Sequence, residues 1–276
     1  DRFVNTESAL QHSTEELHRS HSELQGIQER LVHRQQLAAV GELSAVIAHE
    51  VRNPIAVIKN AVSGLRRERT RDEDRLTLLG ILDEETDRLN RLMHDLLAYA
   101  RPVVPQSEPV DLGVLLETAV DRARGTMDAD APLDVVVDVH PQASTVQGDP
   151  KLLLQALVSL VENAAQAMPE GGNLRLETHT TQLRGQSAVE IHVVDSGHGM
   201  ESEVFARAKE PFFTTRPRGT GLGLAIVERV VTNHGGKLRI RSEAGNGTRV
   251  TLVLPAERVS AIPLPPSEGR RSNPGE

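Results

Sequence analysis

At 276 residues the chain is too long for one small domain and suits two compact units with connecting segments, since domains cluster near about 100–150 residues. A formal net charge of −8, with no Lys/Arg run interleaved with aromatics, argues against nucleic-acid binding, and the lack of cysteine excludes disulfides, thiolate metal sites and thiol nucleophiles. Only 2% of residues are aromatic against 38% hydrophobic overall, so any core must be built from Leu, Val, Ile and Ala.

Phe3, Leu10, Leu17, Leu24, Leu31, Ala38 and Ala45 recur every seven residues, with no proline before Pro54. This predicts a long helix forming a two-stranded coiled coil over residues 1–34. The companion seam is weak, because the positions three residues after each Leu are Ser13, Ser20, Ile27 and Arg34, which leaves a solvated single helix as the alternative. From Leu37 the stripe widens to 3- and 4-residue steps through Val40, Leu43, Ile47, Val51, Ile58, Val62 and Leu65. After the charged segment Arg66 to Asp74, a second stripe runs through Leu78, Leu82, Leu89, Leu92 and Leu96. Two such helices make an antiparallel hairpin that buries half a core, so residues 35–101 are expected to pair with a second copy as a homodimeric four-helix bundle.

Three prolines between Arg101 and Pro109 stop the helix and place a linker at 102–109. Beyond it, β-branched runs (Leu133 to Val139, Leu174 to Thr178, Val189 to Val194, Lys237 to Arg241, Thr248 to Leu254) alternate with helical patterns at Leu112 to Ala123, Lys151 to Met168 and Leu222 to Asn233. Residues 110–255 are therefore expected to form an α/β sandwich with helices on one side of a mixed sheet. The Pro-, Ser-, Gly- and Arg-rich stretch 256–276 reads as a disordered tail.

Five segments carry chemistry. In His49-Glu50-Val51-Arg52-Asn53-Pro54, His49 lies about 200° around the helix from both Ile47 and Val51, so its imidazole faces water. Glu50 can accept the other ring N–H and orient the attacking nitrogen, and Asn53 sits one turn on, on the same face. Taken alone, a solvated histidine on a charged helix is the commoner meaning of this pattern. Asn163 lies on an amphipathic helix, on the side away from Leu153, Leu157, Leu160 and Ala164; its amide oxygen suits Mg2+ held against phosphates. In Asp195-Ser196-Gly197-His198-Gly199-Met200, a strand-end carboxylate can accept from an exocyclic amine such as adenine's, and Gly197 and Gly199 let backbone approach a flat ring. An ordinary strand-to-turn Asp-Gly is the plain alternative.

Glu210-Pro211-Phe212-Phe213-Thr214-Thr215-Arg216 is followed by Gly219-Thr220-Gly221-Leu222-Gly223-Leu224, which opens a helix. Glycines at a helix amino end expose backbone N–H groups to a triphosphate, and Arg216 and Arg218 can neutralise its γ-phosphate. A dinucleotide-binding reading is disfavoured, because no strand leads directly into these glycines.

Together these segments resemble the histidine kinase family of two-component signalling. The first resembles the phosphoacceptor box, the Asn163 helix the N box, DSGHGM and GTGLGL the two glycine boxes, and EPFFTTR the F box; Gly245-Asn246-Gly247-Thr248 is similar to the trailing glycine element. The resemblance covers roughly Gln35 to Leu254. It implies a dimerisation and phosphotransfer hairpin followed by a Bergerat-type ATP-binding domain. It also implies His49 as nucleophile, Asn163 as magnesium ligand, Asp195 as adenine contact, and a lid over ATP between about Met200 and Gly221. A Glu-x-x-Asn after the histidine is associated in this family with dephosphorylating the partner, so Asn53 is the candidate for orienting a hydrolytic water. The partner implied is the receiver domain of a response regulator.

One position departs from the family pattern: Ser159 stands where a second N-box Asn is usual, which shortens the reach toward magnesium. The chaperone, gyrase and mismatch-repair ATPases share the glycine boxes but place a catalytic Glu there, so hydrolysis as the main reaction is disfavoured; a non-catalytic scaffold is the other alternative. No apolar run approaches the ~20 residues that span a bilayer, and no signal segment is evident. The chain is read as the cytoplasmic catalytic piece of a longer protein, in which any inner-membrane anchor would precede Asp1.

Overall fold

The computed structural model describes residues 45–67, 71–100, 105–124, 133–216 and 219–256. The heptad segment 1–34 and the tail 257–276 lie outside the described residues. The chain divides into two compact units, one of Asp1–Val104 with Ser202–Arg229, the other of Pro105–Glu201 with Val230–Glu276.

In the first unit, helix α1 (45–65) and helix α2 (Asp72–Ala100) form the expected hairpin. Their antiparallel sense follows from two contacts: Glu50, early in α1, faces Arg88 late in α2, while a side chain at Gly64 would meet Leu78 Cδ1 at 2.9 Å. Asp72, Glu73 and Asp74 occupy the first turn of α2, where their charge complements the amino-terminal dipole. α1 runs on through buried Pro54. Pro54 has no N–H to offer the Glu50 carbonyl one turn back, which loosens the ladder beside His49.

Among the described hairpin residues only Pro54, Ala61 and Leu92 are buried, whereas Leu76 (71%), Leu97 (64%), Ile55 (50%) and Leu79 (47%) are exposed. Such a hairpin carries too little core to offset its chain entropy by itself. The remainder of this unit holds the short helix α5 (Ser202–Arg207) and most of α6 (Gly223–Asn233), whose last turn passes into the second unit.

The second unit contains the sheet. Its elements, in chain order, are strand β1 (Glu108–Asp111), helix α3 (Leu112–Arg124), strands β2 (Leu133–Val139) and β3 (Thr145–Gly148), helix α4 (Pro150–Gln166), and strands β4 (Gly172–Leu183), β5 (Gln186–Asp195), β6 (Lys237–Ser242) and β7 (Thr248–Pro255). Five strands pair in the order β2-β4-β5-β7-β6, with β2 and β4 parallel and the other pairs antiparallel, while β1 and β3 form a separate antiparallel pair. The mixed sheet agrees with expectation. β1 begins inside the stretch read as linker, because Glu108 and Pro109 pair with Gly148 and Gln147.

One face of the sheet supplies Leu174, Leu176, Ile191, Val193, Leu252 and Leu254 to a core with Leu112 and Leu116 of α3 and Leu153, Leu157 and Leu160 of α4. Each is nearly or fully buried, worth about 1.5–3 kcal/mol apiece relative to exposure. Asp149 starts α4 by accepting from the N–H groups of Lys151 and Leu152 at 3.0 and 3.2 Å, with Pro150 preset in the first turn.

Candidate functional site

His49, Glu50 and Asn53 cluster on α1. The His49 side chain is 67% exposed, as the helical arithmetic required. The Asn53 Nδ2 stands 3.3 Å from His49 Nδ1, and Glu50 Oε1 lies 3.8 Å from the same nitrogen. Glu50 Oε2 in turn faces Arg88 at 3.7 Å, and Arg88 faces Glu85 of α2 at 3.8 Å. The histidine is thus open to solvent on one side and flanked by a polar chain on the other. Arg88 and Glu85 were absent from the sequence reading, for an Arg and a Glu on a helical stripe carry no mark of a partner 38 residues away.

In the second unit the candidate residues gather around Asp195 at the end of β5. Asp195 is 8% exposed, and its Oδ1 accepts from the N–H groups of Gly197 (3.0 Å) and Thr248 (3.1 Å). Two backbone donors on one carboxylate oxygen fix the rotamer. Thr248, at the start of β7, is held by its hydroxyl against Ser242 at 2.9 Å. Gly247 has φ +74°, and a side chain there would run into the Asp195 carbonyl.

The glycines of the DSGHGM turn also meet a packing requirement of the protein itself. A Cβ on Gly197 would lie 2.5 Å from the Ala167 carbonyl oxygen, and one on Gly199, with φ +62°, would strike the Glu243 carbonyl. Their backbones therefore abut protein. Ala167, the C-cap of α4, also accepts from the His198 N–H at 3.2 Å. The turn after Asp195 is in this way fastened to the end of α4, on whose last turn half-buried Asn163 lies.

The F-box and second glycine-box residues belong to the first unit. The Phe212 N–H donates to the Gly221 carbonyl at 3.0 Å; Phe212 (φ 65°) and Gly221 (φ +69°) both take left-handed backbone, and a side chain at Gly221 would sit 2.5 Å from the Phe212 carbonyl carbon. Thr214 Oγ1 accepts from the Arg216 N–H at 3.1 Å and the Arg216 carbonyl accepts from Gly219 at 3.2 Å. Thr215 is exposed beside them. Arg218 lies outside the described residues. Leu222 is fully buried, anchoring the start of α6, where Gly223 and Leu224 form the first turn.

Two contacts of this segment were not foreseen. Thr220 donates its hydroxyl to Asp95 of α2 at 2.5 Å, and Arg229 donates to the Tyr99 carbonyl while its guanidinium lies 5.5 Å from the Tyr99 ring centre. Burial pushes the Asp95 carboxyl above its ordinary range, with the Thr220 hydrogen bond, His94 and Arg91 acting in the opposite sense.

Comparison with known proteins decides the family. Residues 39–103 match the His Kinase A (phospho-acceptor) domain, and residues 148–258 match the histidine kinase-, DNA gyrase B- and HSP90-like ATPase. The chain belongs to the two-component sensor histidine kinases. It is 32% identical over 256 residues to the signal transduction histidine-protein kinase AtoS of Escherichia coli (strain K12), covering 88% of this chain and 41% of AtoS. It is likewise 32% identical over 230 residues to the sensor histidine kinase ZraS of the same strain, covering 83% and 48%. The chain thus spans about half, or less, of the length of these relatives. A solved structure of the histidine kinase ThkA in complex with the response regulator protein TrrA is similar with a TM-score of 0.66 at 25% identity, covering 82% of this chain and 64% of that one. No helix among the described residues is long and apolar enough to cross a membrane.

Proposed function

We propose that this sensor histidine kinase chain transfers the γ-phosphoryl group of ATP to His49 and passes it to an aspartate on a response-regulator receiver. The observation that carries the proposal is a solvent-facing histidine with a carboxylate and an amide at its inner nitrogen, in a chain that also bears the kinase-type ATPase domain. The outer nitrogen, Nε2, attacks phosphorus in line, and Glu50 accepts the proton that the ring gives up at Nδ1. Catalysis of this kind depends chiefly on positioning and charge neutralisation.

In this proposal Asp195 accepts from the adenine amine, Arg216 and the N–H groups around Gly219 to Gly223 meet the phosphates, and Asn163 holds Mg2+. Among the described residues no group of three or more His, Cys, Asp or Glu is disposed to hold a metal. Mg2+ bound with a nucleotide takes one or two protein oxygens and draws its remaining ligands from phosphates and water. When bound, it neutralises charge on the phosphoryl oxygens.

The exposed Leu76, Leu79 and Leu97 support pairing of the hairpin with a second copy as a homodimeric bundle. Asn53 is assigned, from the family pattern, to orienting the water that dephosphorylates the receiver. Incubation with γ-labelled ATP and Mg2+ separates the readings. Acid-labile, alkali-stable label on the protein supports the kinase; released phosphate alone supports an ATPase; neither supports a scaffold.

A further inference from the structure

His49 Nδ1 has two neighbours of opposite chemistry. The Asn53 amide nitrogen at 3.3 Å can only donate, while the Glu50 carboxylate at 3.8 Å can only accept. A ring nitrogen that takes a hydrogen bond from an amide must be unprotonated, so a neutral ring in this arrangement carries its single proton on Nε2. That proton occupies the lone pair needed to attack phosphorus. Meanwhile Arg88 faces the other Glu50 oxygen at 3.7 Å and is itself held toward Glu85, which keeps the carboxylate short of hydrogen-bond contact with the ring.

We infer that Asn53 is a positioning residue that sets the tautomer of His49, holding it in the form that cannot attack, and that transfer of Nδ1 from Asn53 to Glu50 switches the kinase on. In the switch, Nε2 loses its proton to water and Nδ1 gains one from water, so the ring stays neutral. The freed Nε2 pair then forms the N–P bond as the P–O bond to the departing ADP breaks, and the Nδ1 proton passes to Glu50, leaving a neutral phosphoimidazole. This goes beyond the dephosphorylating role given to Asn53 above, and it rests on the reading of His49 as phosphoacceptor.

The test uses the whole chain with 15N-labelled histidine. Long-range 1H–15N correlation spectra, recorded at about pH 8.5 where imidazole is neutral, report which ring nitrogen carries the proton; the His49 signals are those missing from His49→Gln. The wild type is expected in the Nε2–H form. Asn53→Asp, which offers Nδ1 an acceptor in place of a donor, is expected to move His49 to the Nδ1–H form. It should also raise the single-turnover autophosphorylation rate about two- to tenfold, the ratio an ordinary hydrogen bond commands, at unchanged nucleotide affinity. A wild-type ring already in the Nδ1–H form, or a tautomer unmoved by Asn53→Asp, overturns the inference. Tautomers that shift as stated in a protein that never takes up phosphate would instead overturn the phosphoacceptor reading and leave the tautomer assignment standing.

Discussion

Replacing Asp195 by Asn separates the adenine assignment from a merely structural role for this carboxylate. Oδ1 accepts from two backbone N–H groups, those of Gly197 and Thr248, at 3.0 and 3.1 Å. An asparagine must keep its carbonyl oxygen at that position, because its NH2 would face two donors there. The NH2 then occupies the place of the second carboxylate oxygen, and an adenine amine meets a donor. Losing one charge-assisted bond costs about 1.5–3 kcal/mol, or roughly 10- to 100-fold in affinity. The two retained bonds weaken from charge-assisted to neutral, and at 8% exposure water does little to compensate, so folding stability should fall by about 1–3 kcal/mol as well. Calorimetric titration with ADP and Mg2+, with urea unfolding of the same samples, measures both. A folded Asp195→Asn protein binding nucleotide within about threefold of wild type would refute the assignment, whatever its stability.

Two further outcomes follow from packing and titration. Gly247 and Gly245 both have positive φ, but a side chain at Gly247 meets the Asp195 backbone while one at Gly245 meets nothing within 4 Å. Gly245→Ala should therefore cost only the left-handed backbone penalty of about 1–2 kcal/mol, and Gly247→Ala distinctly more; equal urea midpoints would contradict the packing argument. His192, buried beside Thr251, is held below its ordinary pKa of 6.5 by burial, with Glu190 opposing and His179 and Arg249 adding to the depression. Its unfolded form takes up a proton first as pH falls, so its contribution is complete above 6.5 and declines below that toward the depressed folded value, by at most about 1.4 kcal/mol per pH unit. Urea unfolding between about pH 7.5 and 5.5 should give a shallower pH slope for His192→Gln than for wild type; identical slopes would count against it.

The features legible in the sequence were those with a local period or a short motif. The 3- and 4-residue stripes placed both hairpin helices, and the solvent-facing side of His49 followed from helical angle alone. The β-branched runs found all five strands of the main sheet but stopped β4 at Thr178, because His179 to Gln182 is polar; the strand continues to Leu183 and turns through Arg184 (φ 53°) and Gly185 (φ 80°) into β5. β1 and β3 escaped notice, since four-residue strands containing Pro109 or Gly148 look like loop. Pairings remote in sequence left no trace: Arg88 with Glu50, and Thr220 with Asp95 across 125 positions. The packing of protein backbone against Gly197 and Gly199 likewise left no mark in the sequence.

The most direct measurement locates the phosphoryl group. After incubation of the chain with Mg2+ and ATP, peptide mass spectrometry under alkaline conditions should find one phosphate on His49 and none in the His49→Gln protein, while that protein still binds nucleotide. Phosphate on another residue, or a wild-type chain that binds ATP yet takes up no phosphate at His49 alone and leaves an added receiver unphosphorylated, would contradict the account.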